Sequence, residues 1–120
     1  MATILIVEDT PANMKLATAI LENAGHMVLQ AEDAPDGIAL ARANAPDLIL
    51  MDIQLPGMNG LEAIKILKEY PATRAIPVIV LTAFAMKDEE EKIRASGCDG
   101  YLAKPFHYKE LLAAVGRITG

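Results

Sequence analysis

Five side chains able to handle phosphate or a cation each stand just past a short apolar run. Glu8 and Asp9 follow Thr3-Ile4-Leu5-Ile6-Val7, and Asp52 follows Leu48-Ile49-Leu50-Met51. Thr82 closes Val78-Ile79-Val80-Leu81, and Lys104 comes directly after Gly100–Ala103. Singly, each has an ordinary explanation: an aspartate at a strand end serves a turn or a cap, and a lone lysine is usually solvated. Together they share one chemistry. Carboxylates packed side by side repel and raise one another's pKa unless a cation neutralises them. Mg²⁺ suits such a set, because it takes oxygen ligands, commonly one or two carboxylates with water and a phosphate oxygen. A lysine offers a point charge to a phosphate oxygen, a threonine hydroxyl donates to another, and an aspartate is itself a phosphoryl acceptor. These are the parts of phosphoryl transfer by positioning and charge neutralisation.

Bringing these groups to one place requires elements whose ends coincide. The apolar runs are continuous rather than alternating, which predicts strands buried on both faces. Between them lie segments of helical periodicity. Thr10-Pro11 predicts a helix start with Thr10 as N-cap and proline at the first turn, then Met14, Ala17, Leu21 and Ala24 at three- and four-residue spacing, ending at Gly25. Met27–Ala31 is expected as a second, weaker strand. Asp33 or Asp36 opens a helix carrying Ile38, Ala41 and Ala45 that Pro46 stops. Residues 55–60 form a turn-rich loop, after which Leu61, Ile64 and Leu67 mark a helix closed by Pro71. A charged helix over about 87–96 and a last one with Leu111, Val115 and Ile118 on one face complete the chain. Strand and helix alternate throughout, so the expected class is α/β: a five-stranded parallel sheet with five helices on both faces. Right-handed crossovers place every strand's C-terminal end on the same edge, where ligands bind in open sheets of this kind.

Composition agrees with one domain spanning residues 1–120. Hydrophobic residues make up 52% of the chain and tryptophan is absent, so the core must be aliphatic. The net charge of −5 and the scattered basic residues argue against direct nucleic-acid binding. Cys98 is the single cysteine, which excludes an internal disulfide and fits a reducing, cytoplasmic setting. Met1-Ala2-Thr3 leads straight into an apolar strand without signal-peptide features, and no apolar run approaches the roughly 20 residues of a membrane span. A soluble cytoplasmic protein with no membrane association is expected.

The motifs Ile6-Val7-Glu8-Asp9, Leu50-Met51-Asp52-Ile53-Gln54-Leu55-Pro56-Gly57-Met58-Asn59-Gly60, Leu81-Thr82-Ala83 and Tyr101-Leu102-Ala103-Lys104-Pro105 resemble the successive signatures of response-regulator receiver domains, the CheY-like superfamily of two-component systems. The resemblance covers the whole chain, in order and spacing. The run Thr82-Ala83-Phe84-Ala85-Met86 resembles single-domain regulators of the DivK type and receivers of hybrid kinases. The resemblance implies a flavodoxin-like (βα)5 fold with strand order 2-1-3-4-5, the order of flavodoxin itself and of a chemotaxis regulator of this same family. It also implies a phosphorelay role as a switch rather than an enzyme. Asp52 would accept a phosphoryl group from a histidine kinase or histidine phosphotransfer protein. Asp9 and Asp52 would ligate Mg²⁺ directly, Glu8 through water, and the Gln54 backbone carbonyl would complete the protein ligands. Thr82 and Lys104 would hold the phosphoryl oxygens, and the Lys104-Pro105 bond would be cis. Tyr101 would be the aromatic whose rotamer follows Thr82. The message would leave through the face formed by the fourth helix, fifth strand and fifth helix, to a downstream protein or a phosphorylation-dependent dimer.

Other features carry plainer expectations. His26 and His107 have no metal-like spacing and are expected in structural or surface roles. The acidic run 88–91 suits the start of a helix and reads as a solvated face. The methionines read as core filler. Gly57 and Gly60 are expected to serve the turn, since no Walker-type Lys-Ser/Thr follows them. Phe84, two residues past Thr82, is expected to shield an aspartyl phosphate from water. A flavodoxin-like electron carrier would need a hydroxyl- and glycine-rich cradle where Glu8-Asp9 stands. An aspartyl-nucleophile phosphatase would need a second acid where Gln54 stands. A degenerate receiver that only docks would lack a phosphorylation residue, and none is missing.

Overall fold

Strand and helix alternate from end to end: β1 Thr3–Val7, α1 Pro11–Asn23, β2 Met27–Ala31, α2 Ala34–Asn44, β3 Leu48–Asp52, α3 Gly60–Glu69, β4 Val78–Thr82, α4 Lys87–Ala95, β5 Gly100–Ala103 and α5 Tyr108–Thr119. The structure, a computed structural model, describes residues 1–83 and 87–119, and of Lys87 and Asp88 the backbone alone. The strands pair in parallel in the order β2-β1-β3-β4-β5.

The continuous apolar runs split between two layers by the period-two alternation of a strand. Ile4, Ile6, Leu48, Leu50, Ile79 and Leu81 face α1 and α5, meeting Met14, Ala17, Leu21, Leu111 and Val115. Leu5, Val7, Ile49, Met51, Val78 and Val80 face the other way, onto Ile38, Ala41, Ala63, Ile64, Leu67 and Ile93. Each large aliphatic side chain so buried contributes roughly 1.5–3 kcal/mol, which makes a core without tryptophan sufficient. Edge strand β2 is covered less completely: Met27 and Gln30 are exposed. That accounts for its weaker apolar pattern.

Local chemistry sets the helix ends. The Asp33 carboxylate accepts from the Asp36 amide at 2.9 Å, and Asn59 Oδ1 accepts from the Glu62 amide at 2.9 Å. Both side chains satisfy an amide that the helix leaves open. Thr10 occupies the N-cap position of α1, but its side chain makes no capping hydrogen bond. The Thr10 amide donates to Glu8 Oε1 at 3.2 Å. The methionines divide: Met14 and Met51 are buried and Met58 packs against the core, whereas Met1 and Met27 are exposed.

Candidate functional site

Register aligns the strand ends. Val7 pairs with Met51, Asp52 with Leu81, and Thr82 with Ala103. The residues that follow are therefore delivered to one edge: Glu8 and Asp9 beyond β1, Asp52 and Thr82 at the last positions of β3 and β4, Lys104 beyond β5. A Lys104 amide donating to the Thr82 carbonyl at 2.7 Å extends the β4–β5 pairing by one more step. Glu8, Asp9 and Asp52 each present a carboxylate oxygen within 4.8 Å of the others. Asp9 is exposed, whereas Glu8, Asp52 and Thr82 are only 1%, 3% and 2% accessible.

Lys104 lies between the buried acids. Its Nζ is 2.7 Å from Glu8 Oε2 and 3.0 Å from Asp52 Oδ2. The other oxygens are held by backbone: the Thr10 amide donates to Glu8 Oε1, and the Gln54 amide donates to Asp52 Oδ1 at 3.1 Å. The lysine thus compensates carboxylate charge in this state, which sequence spacing did not reveal.

Compensation is unequal. Burial pushes Asp52 up, a hydrogen bond and charge from Glu8 push it further, and Lys104 only partly opposes them, leaving its carboxyl at about 6. For Glu8, burial also acts upward, but Lys104 and the hydrogen bond with Asp52 outweigh it, so its pKa is lowered. Burial disfavours the Lys104 ammonium, yet the two carboxylates prevail and raise its pKa. Burial, with Glu8 beside it, therefore raises Asp52, whereas Lys104 and the hydrogen bond with Asp52 bring Glu8 below its ordinary value.

Gly60 supports Asp52 in a way the turn-residue reading missed. Gly57 has φ +76° and does serve the turn. Gly60 opens α3, and its amide donates to the Ile53 carbonyl at 2.9 Å. A Cβ there would collide with the Asp52 carbonyl oxygen and reach 2.9 Å from Ile53 Cα. Neither atom belongs to a side chain that can swing away. Gly60→Ala is accordingly expected to cost about 1–3 kcal/mol through overpacking, seen as a lower denaturant midpoint. An unchanged midpoint would show that the loop yields.

The remaining expected site residues are placed as follows. The Gln54 side chain is exposed. Lys104-Pro105 is a cis peptide bond. Tyr101 is 41% exposed on β5, its hydroxyl donating to Glu90 Oε1 at 2.7 Å. Glu90 also pairs with Arg94, so this part of the acidic run is engaged rather than merely solvated. His26 accepts from the Ala2 amide, and His107 accepts from the Lys109 amide and stacks on Tyr108. Phe84 and the run 84–86 lie outside the described residues.

The model of the response regulator receiver domain matches residues 4–116. The chain belongs to the response-regulator receiver family.

The polar-differentiation response regulator DivK of Brucella anthropi is 43% identical over 98% of this chain and 96% of that protein. Among solved structures, chemotaxis response regulator CheY4 of Vibrio cholerae superposes with a TM-score of 0.92 at 29% identity, covering 98% of both chains. The receiver domain of sensor histidine kinase PA1611 from Pseudomonas aeruginosa superposes at 0.91 with 34% identity, over 98% of this chain and 96% of that one. That domain has a magnesium ion coordinated in its active-site cleft. The protein is a receiver domain of two-component signalling, similar to DivK, and phosphorelay signalling is its expected role. Receiver domains work with histidine kinases, phosphotransfer proteins and downstream targets. Among the described residues no helix is long and apolar enough to cross a membrane.

Proposed function

We propose that the chain acts over residues 1–120 as one receiver domain whose Asp52 accepts a phosphoryl group from a histidine kinase or phosphotransfer protein in the cytoplasm. The observation that carries this reading is the meeting of Glu8, Asp9, Asp52 and Lys104 at the sheet edge. A carboxyl at about 6 is ionised at neutral pH yet more basic than an ordinary aspartate, which suits a nucleophile. Its two oxygens are oriented by the Gln54 amide and by Lys104.

The donor set fits Mg²⁺. Three carboxylates face one ammonium, and the excess negative charge rests on hard oxygen donors of the kind Mg²⁺ takes. Asp9 and Asp52 would hold the ion directly, Glu8 through water, and the Gln54 carbonyl would complete the protein's share. When bound, Mg²⁺ neutralises carboxylate charge and the charge of an incoming phosphoryl group. An Asp52 oxygen then attacks phosphorus as the bond from phosphorus to the donor nitrogen breaks. Lys104 moves its charge to the phosphoryl oxygens, and the Thr82 hydroxyl donates to another. Because the phosphoryl group stays on the protein's own Asp52, the domain is a switch rather than an enzyme acting on a separate substrate.

Withdrawal of Thr82 toward the phosphoryl group makes room for Tyr101 to turn inward. This alters the face built by α4, β5 and α5, where a downstream protein binds or a second phosphorylated copy pairs. A few kcal/mol of bias is enough to shift such a two-state element. Incubation with a small phosphodonor and Mg²⁺ should add one phosphoryl mass per chain, with EDTA reducing the rate by on the order of tenfold or more. Undiminished labelling in EDTA, read by intact-mass spectrometry, would remove the metal from the reaction.

A further inference from the structure

We propose that Glu90 is the positioning residue that holds Tyr101 outward, and that this restraint sets how readily the domain switches. The inference rests on the reading of Tyr101 as the switch aromatic. Glu90 Oε1 accepts from the Tyr101 hydroxyl at 2.7 Å and from Arg94 Nη2 at 2.7 Å. One carboxylate oxygen thus binds a side chain of β5 to a side chain of its own helix, one turn further along α4. The Glu90 side chain is 35% exposed and that of Arg94 71%, so Arg94 is mostly in water while Glu90 lies nearer the sheet.

Both contacts are charge-assisted, the stronger class of hydrogen bond. An inward turn of the Tyr101 ring must break the bond from its hydroxyl to Glu90, because the acceptor stays on α4. Arg94 holds the carboxylate aimed at β5 while the ring is outward. Glu90 therefore stabilises the unphosphorylated arrangement, and its departure from Tyr101 is the event that loosens α4 from β5. With partial solvent exposure the bond shifts the outward-to-inward ratio by roughly 3- to 10-fold.

The test uses the whole chain labelled with 3-fluorotyrosine, which gives three fluorine signals for the three tyrosines. Tyr101→Phe identifies the signal of Tyr101, and beryllofluoride with Mg²⁺ serves as the phosphoryl mimic. Glu90→Ala should raise the apparent affinity for beryllofluoride by roughly 3- to 10-fold and move the free-state Tyr101 signal toward its bound position. Glu90→Gln, which keeps an acceptor but loses the charge, should fall between Glu90→Ala and the parent. Tyr101→Phe should raise affinity by the same factor, and the double variant no further, because both remove one bond. An additive double variant would overturn the proposal, as would a Glu90→Ala protein that melts lower without any change in signal or affinity. If beryllofluoride leaves the Tyr101 signal of the parent unmoved, the switch reading itself falls. If that signal moves but Glu90→Ala changes nothing, only the role of Glu90 is refuted.

Discussion

Asp52→Asn is expected to take up no phosphoryl group and yet, without metal, to be more stable than the parent protein at neutral pH. The loss of labelling follows from removing the only oxygen nucleophile in the proposed reaction, and should be complete in a peptide map. The gain in stability follows from electrostatics. In the folded protein the Asp52 carboxyl sits at about 6, against an ordinary 3.8, chiefly because it is buried and secondarily because Glu8 adjoins it. Between about pH 4 and 6 the folded state holds this proton and the unfolded state does not. Stability contributed by the protonated acid is therefore present at low pH and lost as pH rises through that window. Above it, the ionised group costs on the order of 2–3 kcal/mol. Asparagine has the shape of the protonated acid and no charge, so it avoids the cost. The expected rise in melting temperature is on the order of 10 °C at pH 7.5, shrinking toward zero near pH 4. Mg²⁺ should narrow the gap, because it binds the folded parent preferentially. Melting curves of both proteins across pH check the sign; a variant less stable at pH 7.5 would mean that the site is not crowded with charge.

Lys104→Met should act in the opposite direction and at least as strongly. The lysine ammonium touches both Glu8 and Asp52, whose side chains are 1% and 4% exposed. Methionine keeps much of the aliphatic stem, so the change isolates the charge. Removing one partner of a buried ion pair typically costs about 3–5 kcal/mol, because the remaining charge is left desolvated; here two carboxylates remain, facing each other. Protonation relieves them, so the loss should be larger at pH 8 than at pH 5. The raised pKa of Lys104 keeps the ammonium charged through this range, and the stability it contributes is lost only at pH values above the ordinary lysine value. Added Mg²⁺ should restore part of the stability by supplying positive charge where the ammonium stood. Denaturant midpoints at the two pH values, with and without Mg²⁺, decide the matter. Equal losses at pH 5 and 8 would show that Lys104 matters for packing and not for charge.

The path from residues to site was short for some features and closed for others. Asp52 was legible because an apolar run of four residues ends on it, and a parallel sheet must carry every such ending to one edge. Glu8, Asp9, Thr82 and Lys104 were legible for the same reason. The sheet itself was legible because strands covered on both faces leave continuous apolar runs with helical periodicity between them. The helix start at Asp33 follows local rules of capping, since its side chain bonds an amide three residues away; Asn59 caps α3 in the same way from within a stretch that reads only as loop. Thr10 has the right identity for a cap, yet its side chain makes no capping hydrogen bond.

Other properties depend on distances between residues far apart in the chain, and periodicity carries no such information. Lys104 and Glu8 are 96 residues apart, and their 2.7 Å contact exists only once β1 and β5 are assembled around β3 and β4. How far each of two neighbouring buried acids is shifted depends on the position of the Lys104 ammonium and on their distance from each other. That is decided by ångström-scale geometry rather than by residue type. Gly60 is required because a Cβ there would meet the backbone of Asp52 and Ile53, a proximity invisible in a turn-rich string of residues. Glu90 meets Tyr101 only because the fold brings their side chains within 2.7 Å of each other. Sequence alone determined the fold class, the edge of the sheet where the candidate site lies and the residue types gathered there, since these follow from local patterns and the handedness of crossovers. Only the tertiary structure decided how charge is divided among those residues and what restrains them, because short-range electrostatics and steric contact act between atoms that the chain brings together last.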